Sequence, residues 1–201
     1  PEFKYDPHVW TSPKQAKIQV DNIVNTLSQA SPQAKDAFTA AGKKYTDQLE
    51  DLDKWASDSM SAVPEQDRVL FSSHDAFGYF SNEYGVKFIG SALSDFNHQQ
   101  DATSSHIDEQ VKKVRESGAK AIFAENSNNS KSIEAIARAA GVKAVTSDDA
   151  LYGDSLGVPG SEGETYIGSI VHNINTLVSA WDSKQQPLPE SLQEFDFAKR
   201  K

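Results

Sequence analysis

Over the first third of the chain, apolar positions recur every three or four residues. After that they gather into short runs alternating with helical stripes. Ala16, Val20, Ile23, Val24 and Leu27 follow Ser12-Pro13 at helical spacing. A helix therefore starts at residue 13, with Ser12 as N-cap and Pro13 in its first position. Ser31-Pro32 starts a second helix whose stripe is Phe38, Ala41, Tyr45, Leu49, Leu52, Ala56 and Met60, and Pro64 closes it. At 1.5 Å per residue this helix is roughly 45 Å long, more than a small domain is wide, so it reads as a strut.

From residue 68 the period shortens. Strands are predicted over 68–72, 86–90, 119–124 and 142–145, and helices over 76–84, 104–117, 130–140 and 165–181. Gly118 and Gly141 act as helix stops. Strand–helix alternation with such short connections predicts an α/β fold: a mostly parallel four-stranded sheet flanked by helices, preceded by the long rigid linking helix. The expected organisation has a leading segment at 1–30, the linking helix at 31–63 and an α/β lobe at 64–184. A flexible tail follows at 185–201, where two prolines precede Lys199-Arg200-Lys201.

Composition narrows the function more than the fold. The 201 residues carry 20 Lys and Arg against 29 Asp and Glu, a net charge of −9, which argues against nucleic acid as a partner. No apolar run approaches the roughly 20 residues of a membrane span. The absence of cysteine removes disulfides, thiolate metal sites and thiol nucleophiles together. Pro1-Glu2-Phe3 reads as a cloning remnant, so the lack of a signal segment carries no weight.

In open α/β sheets ligands bind beyond the carboxyl ends of the strands. There the chain places Ser72-Ser73-His74-Asp75, then Glu125-Asn126, then Ser147-Asp148-Asp149 and a loop holding Asp154 among Gly153, Gly157 and Gly160. Imidazole and carboxylate together suit zinc, manganese or iron. Plainer readings stand beside this one. A single strand-end histidine is more often a hydrogen-bonding or capping group than a ligand. Asp75 is placed to cap the next helix, and Asp148-Asp149 suits a solvated turn. Phe77-Gly78-Tyr79-Phe80 suits helix packing, and the glycine loop matches no phosphate cradle. His98, His106 and His172 are assigned as non-ligands.

Three motifs add what spacing alone does not. Asp6-Pro7-His8-Val9-Trp10 resembles the segment bearing a ligand histidine in the solute-binding receptors of manganese and zinc ABC importers. The run from His74 to Phe80, followed by Tyr84-Gly85-Val86, resembles that family's next ligand motif. Asp154-Ser155-Leu156-Gly157, leading through Gly163-Glu164-Thr165-Tyr166 to His172-Asn173, is similar to its third. They occur in the family's order, and the resemblance runs from about Tyr5 to Trp181.

The resemblance implies half of a two-lobed receptor, with the metal held where the lobes meet. It implies His8, His74 and Asp154 as metal ligands, with Glu125 orienting a ligand without touching the ion. Mn2+ or Zn2+ would be cargo, and a membrane permease the partner. The location would be extracytoplasmic, either periplasmic or lipid-anchored at the cell surface, and there would be no enzymatic turnover. One further family histidine and most of the first lobe have no counterpart in this chain, so an exposed apolar face is expected on the first helix, and a helix-swapped homodimer is a possible form. The rival expectations are a surface adhesin and a metallohydrolase. Loss of imidazole protonation should let metal affinity rise above about pH 6.5.

Overall fold

A computed structural model describes residues 5–93 and 104–197. Its helices are α1 (Pro13–Ala30), α2 (Lys35–Ser61), α3 (Gly78–Tyr84), α4 (Ser104–Ser117), α5 (Lys131–Ala140) and α6 (Tyr166–Ala180). Its strands are β1 (Val69–Ser72), β2 (Lys87–Ser91), β3 (Ala121–Phe123) and β4 (Lys143–Val145). The α/β class and the element order expected from the periodicity are both present. His98 lies outside the described residues.

Ser12 caps α1 as anticipated, its hydroxyl accepting from the Gln15 N–H at 3.4 Å with Pro13 at the helix start. Pro32 opens a single 3-10 turn before α2, so the strut is 27 residues and about 40 Å long. Helices α1 and α2 form an antiparallel hairpin, tied by the Lys17–Glu50 ion pair and by Val24 packed over Gly42. The large buried side chains of α2 all lie in its second half, Leu49, Leu52, Trp55 and Met60. On α1, Ile18, Ile23 and Leu27 stand exposed.

The four parallel strands are built as two hydrogen-bonded pairs, β1 with β2 and β3 with β4, and β1 lies beside β3. Their side chains alternate between two cores. Leu70, Ala121 and Phe123 face α2, α3 and α6, while Val69, Phe71, Ile122 and Ala124 face α4 and α5. This period of two is what a layer covered by helices on both faces requires. Because β1 and β3 are the inner strands, the chain order reverses between them, and that switch point is where such folds hold ligands.

Over residues 185–197 the chain differs from the expected flexible tail. It forms a 3-10 helix over Glu190–Phe195 and packs on the core through Leu188, Leu192 and Phe195. Trp55 Nε1 donates to the Gln186 carbonyl at 3.3 Å, and Ser191 Oγ donates to Asp51 at 2.5 Å. Prolines at 187 and 189 stop a long helix but do not prevent docking. Leu192→Ala, at a fully buried site, is expected to cost about 2–3 kcal/mol in chemical denaturation. A midpoint equal to the parent's would show the segment to be unpacked in solution.

Candidate metal centre

The loop after β1 turns sharply. Ser72 Oγ donates to the His74 carbonyl at 2.6 Å, and the Ala76 N–H donates to the same oxygen at 3.1 Å. This buries His74 completely over the end of β3. There Glu125 holds it twice. Oε1 accepts the His74 backbone N–H at 3.0 Å, and Oε2 lies 2.7 Å from the ring Nδ1. Glu125 is anchored in turn by its own N–H donating to Ser73 Oγ at 3.1 Å, across the β1–β3 junction.

The third segment continues β4. Leu151 pairs with Glu125 in an isolated parallel bridge. Asn173 on α6 then clamps Tyr152 on both sides, its Oδ1 accepting from the Tyr152 N–H and its amide donating to the Tyr152 carbonyl, each at 2.8 Å. Two residues on, Asp154 Oδ2 sits 3.0 Å from His74 Nε2.

His8 arrives from the opposite end of the chain and is held by long-range contacts. Trp10 Nε1 donates to the Gly153 carbonyl at 2.8 Å, and Tyr166 Oη donates to the Trp10 carbonyl at 2.7 Å. The His8 ring lies edge-on to His74 with centroids 5.4 Å apart, and its Nε2 is 3.5 Å from Asp154 Oδ1. Asp6 Oδ1 accepts the His8 N–H at 2.9 Å and lies 2.7 Å from the ring Nδ1.

Each imidazole thus meets a carboxylate at Nδ1 at 2.7 Å, and at His74 the Asn128 amide nitrogen lies farther off, at 3.3 Å. An ionised carboxylate only accepts, so each Nδ1 carries hydrogen and each Nε2 faces the other ring and Asp154. Donor atoms of His8, His74 and Asp154 all lie within 4.8 Å of one another. A tetrahedral shell with ligand distances of 2.0–2.2 Å would separate neighbouring donors by about 3.4 Å. The observed contacts are near that spacing, 3.0 Å from His74 to Oδ2 of Asp154 and 3.5 Å from His8 to its Oδ1, so the two oxygens face one imidazole each and the group is compact enough for one small divalent cation. No other such group of three occurs among the described residues.

Burial by itself would lower the pKa of His74. The Asp154 and Glu125 carboxylates outweigh it and raise the imidazole to about 9. Without metal, a proton on Nε2 therefore bridges to Asp154, in the place a cation would take. This moves the expected pH window upward from the ordinary histidine range. Burial, with Asp6 acting in the same direction, also raises the carboxyl pKa of the neighbouring Asp75.

The remaining candidates resolve simply. Asp75 does not cap α3, which begins at Gly78 after Phe77 with no side-chain cap. Phe77 and Phe80 are core residues. His172 is satisfied by Glu162 at 2.8 Å and the Ala150 carbonyl at 3.0 Å, and His106 lies on α4, outside the cluster. Asp148 and Asp149 form an exposed 3-10 turn. Sequence reasoning gave Asp6 no role, although its place two residues before a candidate ligand was a usable signal.

Comparisons with known proteins identify the family and the fold. Residues 2–180 match the model of the family described as ZnuA, zinc-uptake complex component A, periplasmic. The manganese-binding lipoprotein MntA of Bacillus subtilis is 40% identical over 178 residues, covering 88% of this chain and 58% of its own length. A metal ABC transporter substrate-binding lipoprotein of Lactococcus lactis is 27% identical over 176 residues, covering 88% and 55%. The zinc-binding protein TroA of Treponema pallidum is 32% identical over 181 residues, covering 89% and 58%. Its solved structure superposes with a TM-score of 0.82 at 31% identity, over 91% of this chain and 66% of that one. The chain therefore spans a little over half the length of these curated relatives.

Proposed function

Since the chain belongs to the ZnuA family, whose model matches residues 2–180, we propose that it is the metal-holding part of an extracytoplasmic receptor that captures a divalent transition metal for an ABC importer. One observation carries this reading: donor atoms of the buried His8 and His74 and of the partly exposed Asp154 lie within 4.8 Å of one another beside the sheet's switch point. Two imidazoles and a carboxylate are borderline ligands that suit zinc and manganese alike. The relatives named above include both a manganese-binding and a zinc-binding protein. Manganese is our reading of the physiological cargo, with zinc as its competitor.

The action is capture and delivery. A cation entering beside the partly exposed Asp154 displaces the proton held between Asp154 and His74 and exchanges water for two nitrogens and an oxygen. Glu125 and Asp6 keep the rings aimed, so little is reordered on binding. The same reading makes a membrane permease the recipient, and it makes the face of α1 that carries the exposed Ile23 and Leu27 a packing surface for the rest of a two-lobed receptor. No helix among the described residues is long and apolar enough to cross a membrane.

Chelator-buffered titration of the chain with Mn2+ and Zn2+ tests the proposal. One ion should bind per chain, zinc more tightly than manganese in keeping with the intrinsic order of these metals, and each should displace the other. Absence of saturable one-to-one binding by either metal would refute it.

A further inference from the structure

Asp6 is held at one oxygen and crowded at the other. Its Oδ1 takes both N–H groups of His8, while Oδ2 points at the Cα of Gly78, where a Cβ would clash with it. Gly78 is the first residue of α3 and has no positive φ, so nothing in its backbone calls for glycine, and the helix itself would favour alanine. The space is what matters: the carboxylate cannot give way without loosening the two bonds at Oδ1. The same device recurs on unrelated elements at the second ring. There Glu125 Oε2, the oxygen nearest His74 Nδ1, lies against the bare Cα of Gly153.

We propose that Asp6 is the positioning residue of the His8 ligand, fixing the ring with Nε2 toward the ion, and that the missing side chain at Gly78 is the seat that lets it do so. This rests on His8 being a ligand, as proposed above. A carboxylate at Nδ1 selects the Nδ1–H tautomer, which leaves the Nε2 lone pair for a metal. An amide in its place can donate to Nδ1 and so favour the tautomer that blocks Nε2.

Gly78→Ala and Asp6→Asn in the whole chain test this by three measurements: zinc affinity by chelator competition, the His8 tautomer by nitrogen NMR of the metal-free protein, and the thermal midpoint. Gly78→Ala should keep or raise the midpoint yet weaken zinc binding about ten- to a hundredfold, with loss of the Nδ1–H form. A residue serving only helix structure would not move those readouts in opposite directions. Asp6→Asn should shift the tautomer and the affinity the same way, and it decides the matter if Gly78→Ala folds poorly. If both variants keep the parent tautomer and bind zinc within twofold of the parent while His8→Ala binds weakly, this proposal is overturned and the metal site stands. If His8→Ala also binds as the parent does, the ligand reading of His8 falls, and this proposal with it.

Discussion

His74→Ala is expected to weaken zinc or manganese binding about a hundredfold or more. Loss of a residue that merely orients a metal ligand costs ten- to a hundredfold, and His74 is proposed as a ligand itself, completely buried between Asp154 and Glu125. The substitution also leaves Glu125 with its backbone bond to residue 74 but without its ring partner, so some folding stability goes with it. Asp154→Ala separates the two effects. Its carboxylate is partly exposed and Glu125 still holds the ring in its absence, so affinity should drop by a similar factor while the denaturation midpoint falls less than in His74→Ala. Chelator competition on both variants is the measurement, and parent-like affinity in both would remove the metal assignment.

The pH dependence should reverse sign on metal loading. In the metal-free protein His74 titrates near 9, above the 6.5 of an unfolded histidine. The stability it contributes is therefore fully present below about 6.5 and is lost as pH rises through about 9. At about 1.4 kcal/mol per pH unit of separation, the loss amounts to about 3 kcal/mol. Metal acts the other way, since the ion needs the proton gone and its affinity climbs over the same interval. Thermal midpoints recorded from pH 6 to 9 should fall without metal and hold or rise with saturating metal. A metal-free profile that is flat, or unchanged in His74→Ala, would contradict this.

The helices and the line of candidate ligands were legible because they follow local rules. Ser12-Pro13 announces a helix start, Gly141 a stop, and strand ends mark where polar groups collect. What escaped depends on neighbours far along the chain. Asp6 acquires meaning only against Gly78, and Glu125 grips His74 only because β1 and β3 lie side by side. The division of the sheet into two pairs is set by the junction between those strands, which no single strand's pattern records. On α2, the stripe through Phe38, Ala41 and Tyr45 is as apolar in sequence as its continuation, yet none of the three is fully buried, and of them only Tyr45 packs against the main core. The packing of the segment after Gln185 does have a local signal. Leu188, Leu192 and Phe195 keep steps of four and three, a periodicity that two prolines and a charged terminus obscured.

The contacts that fasten Trp10 to Gly153 and to Tyr166 join positions 143 and 156 residues apart. Contacts of such long sequence separation carry a large closure entropy and form late. While the polypeptide is being made, His8 emerges long before Asp154 exists, and His74 waits as well. A nascent or half-folded molecule therefore presents scattered histidines rather than an ion trap. On the proposed reading, metal capture therefore switches on only with completion of the tertiary structure.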